Sequence, residues 1–262
     1  MYWCLLSIAS VAVLGLLLRS VTRKLTANIR IIVCVDEFIG SLGSSVVIME
    51  LGVIAGYHGG YSVPHMVSRY IYLILQAAYF KMTGGLATPL SFIASYYKNG
   101  KKICFSLFFI ASIIITQFVA LYAGQHFAWS IWTLEDRIHV EALHAVCNSP
   151  MSPYYPWYLL ALCEAVGVVI LMCLDAVTPP LLKVVSGATA YMTLYFFLSH
   201  ISGCYFSPVI ATVYSFRCSG HTSDWEHFAV YWIAPVVGMV ISCELLEGKN
   251  KLMMKKDAKK IQ

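Results

Sequence analysis

Two hydroxyl–proline pairs, Thr88-Pro89 and Ser207-Pro208, interrupt strongly apolar stretches of the sequence. Proline is favoured at the first position of a helix, because its missing N–H would have no partner there. Serine and threonine are good N-cap residues, since their hydroxyl accepts from a free helix N–H. Each pair therefore predicts a loop, a cap and the start of a short helix.

Such a helix start could recognise a small neutral solute. A helix N-terminus carries roughly half a positive charge, and the loop before it offers free backbone carbonyls as acceptors. A capping hydroxyl accepts from the helix and can still donate its own proton to a solute. Two such elements lining one path would suit neutral hydrogen-bonding solutes and resist cations and protons.

Two glutamates stand in similar apolar surroundings, Glu37 in "VDEFIGSL" and Glu164 in "LCEAVGVV". An ionisable side chain at membrane depth is a functional hypothesis by default. Each glutamate is followed by one further apolar stretch and then by one hydroxyl–proline break. We therefore expect an internal repeat in which each glutamate holds its own loop in place. Three spans per copy would invert the second copy, which puts the functional site near the bilayer midplane.

The composition indicates that these elements lie in a membrane. The chain has 262 residues, of which 59% are hydrophobic and only 12% are charged, whereas soluble domains carry about 25% charged residues. Most of its apolar stretches approach the ~20 residues that cross a bilayer. The seven stretches are 3–18, 31–55, 66–84, 103–123, 156–173, 181–201 and 228–246.

The basic residues predict the topology and the domain limits. Lysine and arginine cluster between the first two stretches, before the fourth and in the tail, all on one side if every stretch spans. The positive-inside rule makes that side cytosolic, so the net charge of +5 gives no reason to invoke nucleic acid. We expect an N-terminal anchor and basic linker (1–30), a channel domain (31–250) with repeats at about 31–124 and 156–246, and a basic cytosolic tail (251–262).

Other function classes find less support in the sequence. No CxxC, H-E-x-x-H, Walker or G-x-S-x-G pattern occurs, so neither a metal site, a cofactor nor an enzyme is predicted. Seven apolar stretches would also permit a seven-span receptor. The internal repeat and the paired breaks argue against a receptor, because nothing in a receptor requires them.

The sequence resembles the aquaporin family, whose two half-helices begin with Asn-Pro-Ala. The resemblance covers about 31–246 and is carried by "SGCYFSPVIATVYSF", "HFAVYWIAPVVG" and the two glutamates. Cys218, nine residues after Val209, together with a degenerate first motif and an additional apolar N-terminus, resembles the unorthodox intracellular superaquaporins, the group of aquaporins eleven and twelve. The resemblance implies an all-α membrane protein with six transmembrane helices and two re-entrant half-helices in an inverted repeat, preceded by an additional N-terminal helix.

The resemblance also implies pore residues, with departures from the family pattern. Both family asparagines are replaced, and the filter arginine falls on isoleucine, which removes a cation from the outer constriction. The pore motif corresponds to Thr88, Pro89, Leu90, Ser207, Pro208 and Val209, and the selectivity filter to Ser68, Tyr195, Cys204 and Ile210.

These inferences together predict a passive channel in the lipid bilayer for water and small neutral solutes. The resemblance adds glycerol and hydrogen peroxide as candidate solutes, a pore in each subunit, and a homotetramer. The alternative within the same fold is a pore-closed homologue with a structural or regulatory role.

Two further expectations concern the non-cytosolic cysteines and the tail. Cys147 and Cys218 both fall on the side where disulfides persist, and whether they pair is left open, with Cys218 as the structural thiol. Lys259 and Lys260 resemble a cytosolic dilysine retrieval signal, which would return the channel to the endoplasmic reticulum membrane. The alternative is a basic tail that binds anionic lipid.

Overall fold

The structure, a computed structural model, describes residues 2–57, 63–99, 107–134, 137–144, 147–220 and 223–260. Within these ranges the chain forms helices and loops, and its extended pairing is limited to one bridge between Asn148 and Ser219. The helices are α1 (Tyr2–Leu25), α2 (Ile29–Tyr57), α3 (Val63–Thr83), α4 (Leu90–Asn99), α5 (Leu107–Trp132), α6 (Arg137–Leu143), α7 (Trp157–Val177), α8 (Lys183–Ser202), α9 (Pro208–Ser215), α10 (Asp224–Phe228) and α11 (Ala234–Lys260), with a π-helical turn at Ala229–Ile233.

Within the described ranges, five helical segments are long and apolar enough to cross a membrane. They share one property, an extended run with almost no charged side chain, which a bilayer core demands of a spanning helix. The prediction of an all-α membrane protein is therefore confirmed. The five segments are Ile29–Val53, Leu107–Trp132, Trp157–Val177, Lys183–Ser202 and Asp224–Gly248.

Several helices extend beyond the apolar stretches predicted for them: α5 continues to Trp132 and α11 to Lys260, whereas these stretches were expected to end at residues 123 and 246. The first apolar stretch was expected to end at Leu18, but α1 continues to Leu25 and includes its basic residues. Helix α6 was not predicted, because its seven residues are too few to show a helical period.

The described chain divides into two compact units. The first unit comprises Met1–Pro89, Leu107–Asn148 and Val209–Ser219. In this unit α2 is the central helix and packs against α1, α3 and α5. Gly124 of α5 permits the close approach of α5, because a Cβ there would lie 2.6 Å from the Ser45 Cβ of α2.

The second unit comprises Leu90–Ser106, Ser149–Pro208 and Gly220–Gln262. Its central helix α7 packs against α8 and α11, and the short helix α4 packs against α11. An apolar core joins these helices to the loop before α9. The buried members of that core are Leu90, Ala94, Val168, Leu194, Cys204, Phe206, Met239 and Cys243.

A π-helical turn separates α10 from α11 in the second unit. Its wider hydrogen bond runs from the Ala234 N–H to the Ala229 carbonyl, five residues earlier rather than four. The first three residues of the turn are buried, and the Tyr231 hydroxyl donates to the Ser202 carbonyl at 2.6 Å. The turn therefore connects the last span to the C-terminal end of α8.

Candidate functional site

A buried glutamate binds the loop between α3 and α4, which we call the first loop (84–88). Glu37 Oε1 accepts from the Leu86 N–H at 2.9 Å, and the Ala87 N–H also bonds to this carboxyl. Glu37 Oε2 accepts from the Gln117 amide of α5 at 2.7 Å. Glu37 and Gln117 are both fully buried, so the loop N–H groups are satisfied by a side chain where water is excluded.

A second buried glutamate binds the loop between α8 and α9, which we call the second loop (203–207). Glu164 Oε2 accepts from the Phe206 N–H at 2.8 Å. Its Oε1 accepts from the Tyr205 N–H at 3.3 Å and from the Ser202 hydroxyl at 2.8 Å. This carboxyl is also fully buried, and it lies in the second unit, as the loop does.

The two loops share left-handed backbone at two corresponding positions. Four residues before each capping hydroxyl stands a glycine with left-handed backbone, Gly84 (φ +82°) and Gly203 (φ +83°). One residue before each hydroxyl, Ala87 and Phe206 are also left-handed, at φ +52° and +51°. Side chains other than glycine rarely adopt this conformation. The shared strain is evidence that the loops are two copies of one element.

Each glutamate is followed, one helical turn later, by a glycine that receives the loop. In the first unit a Cβ on Gly40 would lie 2.9 Å from the backbone of Gly85. In the second unit a Cβ on Gly167 would overlap the ring of Phe206. The E-x-x-G spacing was visible in both copies of the sequence but was not singled out. It marks the two sites where a helix and a loop come into contact.

No protein-family model matches the chain. Two human proteins, "Putative aquaporin-12A" and "Putative aquaporin-12B", are each 26% identical to it over 212 residues, which cover 77% of this chain and 67% of the relative. The chain is thus similar to two proteins that are named as putative aquaporins. The resemblance inferred from the two hydroxyl–proline breaks and the paired glutamates is confirmed by these relatives.

The predicted pore-motif residues lie at the starts of the two short helices. Helix α9 begins at Pro208, directly after Ser207, as predicted. Helix α4 begins at Leu90, one residue later than predicted from Pro89, a difference within the usual uncertainty of helix ends. Ser207 is buried and Thr88 is half-buried, while the residues after them are all buried: Pro89, Leu90, Pro208 and Val209.

The four predicted filter residues have different surroundings. Cys204 is fully buried, and its thiol donates to the Leu194 carbonyl of α8. Tyr195 is half-buried against the same apolar core, and Ile210 is half-buried on α9 in the first unit. Ser68 lies on α3, but its side chain falls outside the described residues. The Cys204 thiol thus contacts α8, and the Cys204 backbone carbonyl accepts from the Tyr191 hydroxyl at 2.8 Å.

A disulfide joins Cys147 and Cys218 in the first unit, at a sequence separation of 71. The Ser219 N–H and hydroxyl both bond to the Cys147 carbonyl, at 2.9 and 2.7 Å. The bridge ties the end of α9 to the segment after α6. In the sequence the pairing of these two cysteines was an open question.

A buried polar cluster in the first unit escaped the sequence analysis. Glu50, near the end of α2, accepts from the Trp132 indole N–H at 3.0 Å and contacts His139 Nε2 at 3.1 Å. All three side chains are buried. The cluster fastens α6 to α2 and α5. Its only sequence signal was a glutamate late in an apolar stretch, because its partners follow 82 and 89 residues later.

The two remaining predictions concern the retrieval signal in the tail and metal binding. Lys259 and Lys260 lie at the end of α11, but their side chains fall outside the described residues. Within the described ranges, no group of three or more His, Cys, Asp and Glu side chains is arranged to hold a metal ion.

Proposed function

We propose that the chain is a passive channel for water and small neutral solutes. The observation that carries this proposal is the pair of matching loops, each held by its own buried glutamate and each leading into a short helix. Irregular backbone of this kind is tolerated at membrane depth only when protein buries it or when it lines a water-filled path. Similarity to aquaporins supports the second explanation.

The capping hydroxyls supply the solute-binding chemistry in this proposal. Ser207 directly precedes α9, and Thr88 stands two residues before α4. A hydroxyl can accept from a helix N–H and donate to a solute at the same time. The family asparagine would reach further, so we expect lower conductance than in a channel with two asparagines. The left-handed residues before each hydroxyl turn the loop carbonyls away from the ordinary helical direction.

Stopped-flow light scattering on proteoliposomes tests the proposal, with water and glycerol gradients run in parallel. Wild-type protein should raise permeability above that of protein-free liposomes. Ser207→Ala and Thr88→Ala should each lower the permeability, because each removes the helix cap and the hydroxyl donor together. Loss of the cap alone costs about 1 kcal/mol of stability. Thr189→Ala, which removes an exposed hydroxyl bonded to its own helix, is the matched control.

Two outcomes would contradict the proposal. Wild-type liposomes that are no more permeable than empty ones would favour the pore-closed homologue, whose support is the loss of both family asparagines. Normal permeability in both alanine variants would show that the Ser207 and Thr88 hydroxyls are not needed for solute passage. Hydrogen peroxide uptake, measured with an enclosed peroxide probe, extends the same comparison to a third solute.

The finer features of the channel remain predictions. A homotetramer with one pore per subunit is expected by analogy with the family, and the mass of the detergent-solubilised particle tests it. Residence in the endoplasmic reticulum is expected from Lys259 and Lys260. Serine substitution of that pair should move a protein tagged at its N-terminus toward the cell surface, while substitution of Lys255 and Lys256 should not. Equal behaviour of the two pairs would favour lipid binding by the tail.

A further inference from the structure

The basic end of α1 meets a buried carboxylate of α2. Arg19 Nε lies 3.1 Å from Asp36 Oδ1, and Arg23 Nη2 lies 3.4 Å from Asp36 Oδ2. Asp36 is buried, whereas the Arg23 side chain is half exposed. Exposed ion pairs contribute little to stability. The Arg19 contact is the more enclosed of the two, since its side chain is only 22% exposed.

Arg19 also reaches the C-terminal end of α3. Its Nη1 donates to the Met82 carbonyl, one of the last carbonyls of that helix. Such carbonyls have no partner within the helix, and a cation beside them is favourable because it complements the helix dipole. Arg19 therefore joins three elements: α1 by its backbone, α2 through Asp36, and α3 through Met82.

The first residue of the first loop, Gly84, lies next to the Arg19 guanidinium. A Cβ on Gly84 would lie 3.2 Å from Arg19 Nη2 and 3.2 Å from Asp36 Oδ2. The next residue, Gly85, fits against the backbone of α2, where a Cβ would lie 3.0 Å from the Gly40 Cα. Gly85 is thus buried against α2 with no room for a Cβ, whereas Gly84 is exposed and leaves only a tight space for one beside Arg19 and Asp36.

Two adjacent carboxylates of α2 therefore act on opposite ends of the first loop. Asp36 orients Arg19 over Met82 and Gly84, and Glu37 accepts from the N–H of Leu86. The equivalent neighbour of Glu164 in α7 is Cys163, which carries no charge. The arginine contact thus belongs to the first loop and has no charged counterpart at the equivalent position of α7.

We propose that Arg19 is a positioning residue for the first loop, and that α1 is a working part of the channel in addition to an anchor. The inference rests on the proposed channel function for its meaning, because the loop is the element proposed to line the solute path. The structural role of Arg19 does not depend on transport, because the Arg19–Asp36–Met82 contacts keep the first loop packed on α2 whether or not a solute passes.

Hydrogen exchange on the full-length protein in lipid nanodiscs tests the inference. Peptides that cover 83–88 and 203–207 report the two loops separately. Arg19→Gln should speed exchange in the first loop by about tenfold or more, since it removes a charge-assisted bond that opposes local opening. The second loop should exchange as in the wild type.

Two further variants make the result specific. Arg19→Lys should be intermediate, because a point charge can pair with Asp36 but cannot also reach Met82 as a planar guanidinium does. Arg23→Gln, which removes the more exposed contact, should leave both loops close to wild type. Unchanged exchange in Arg19→Gln, equal acceleration of both loops, or equal effects of Arg19→Gln and Arg23→Gln would each overturn the inference.

Permeability separates this inference from the proposed function. If wild-type liposomes conduct water, Arg19→Gln should lower water permeability per incorporated protein, and Arg19→Lys should restore part of it. If wild-type liposomes do not conduct, the channel proposal fails, yet the exchange rates of the first loop still decide whether Arg19 positions it.

Discussion

Replacing Glu164 by glutamine should destabilise the second loop by the value of one lost backbone hydrogen bond. The carboxyl accepts from the hydroxyl of Ser202 and from the loop N–H groups of Tyr205 and Phe206, and the Cys204 N–H also bonds to it. Glutamine has one acceptor oxygen and one NH₂ group. The serine hydroxyl can reverse its role and accept from the NH₂ group, but a backbone N–H cannot. In either orientation of the amide, one loop N–H faces another donor.

The expected magnitude follows from this count. A buried donor without an acceptor costs about 1–3 kcal/mol, so Glu164→Gln should lower the free energy of unfolding by that amount. Glu164→Ala leaves the loop N–H groups without this acceptor and should cost at least about 2–6 kcal/mol, to which the cavity that the side chain leaves adds. The alanine variant should therefore lose at least about twice as much free energy of unfolding as the glutamine variant.

Thermal unfolding in detergent, followed by tryptophan fluorescence, ranks the stability of the wild type, Glu164→Gln and Glu164→Ala. Hydrogen exchange of the 203–207 peptide locates the loss in the second loop. Glu244→Gln is the matched control, since Glu244 is exposed and accepts one bond from Tyr97 at 2.7 Å. Surface changes of this kind usually stay within about 0.5 kcal/mol. Wild-type stability of Glu164→Gln, or equal losses in the glutamine and alanine variants, would refute the reasoning.

Three further groups of substitutions test the scaffold around the two loops. Cys147→Ser and Cys218→Ser should each lower the free energy of unfolding by about 4 kcal/mol, the chain-entropy value for a sequence separation of 71. The double variant should lose no more than either single variant, as measured by thermal unfolding. Glu50→Leu leaves the buried indole and imidazole groups of α5 and α6 without their carboxylate partner and should destabilise more than Glu50→Gln, which keeps one acceptor. Gly167→Ala should reduce folding yield because a Cβ would overlap the loop ring, whereas Gly187→Ala, with open space around it, should be neutral or slightly stabilising.

The sequence predicted the elements whose chemistry repeats. Hydroxyl–proline pairs and apolar glutamates are informative because each occurs twice at corresponding places, and a repeat makes coincidence a poor explanation. The same reasoning could have found Gly40 and Gly167, since both follow their glutamate by three residues. A single helical turn puts such a residue on the face that carries the glutamate.

Side-chain direction and distant partners were beyond the sequence. Cys204 occupies a predicted filter position, but its left-handed backbone, at φ +56°, accompanies a thiol directed at α8. A local strain of this kind cannot be read from residue types. Glu50 and His139 meet only because α6 folds back onto α2, and a seven-residue helix gives no periodic signal. Asp36 was visible in the sequence, but its link to Arg19 depends on how α1 packs.

The π-helical turn at 229–233 sets the rotational phase of the last span. One additional residue in a helical turn rotates everything after it by about 100° relative to an uninterrupted α-helix. Met239 and Cys243 are buried in the core of the second unit, so they face inward in the phase that follows this turn. The buried faces of α10 and α11 are therefore not in one α-helical register, although the two helices and the turn follow one another directly in the chain. A periodicity analysis that treats 224–260 as one α-helix would assign its inner and outer faces incorrectly on one side of the turn.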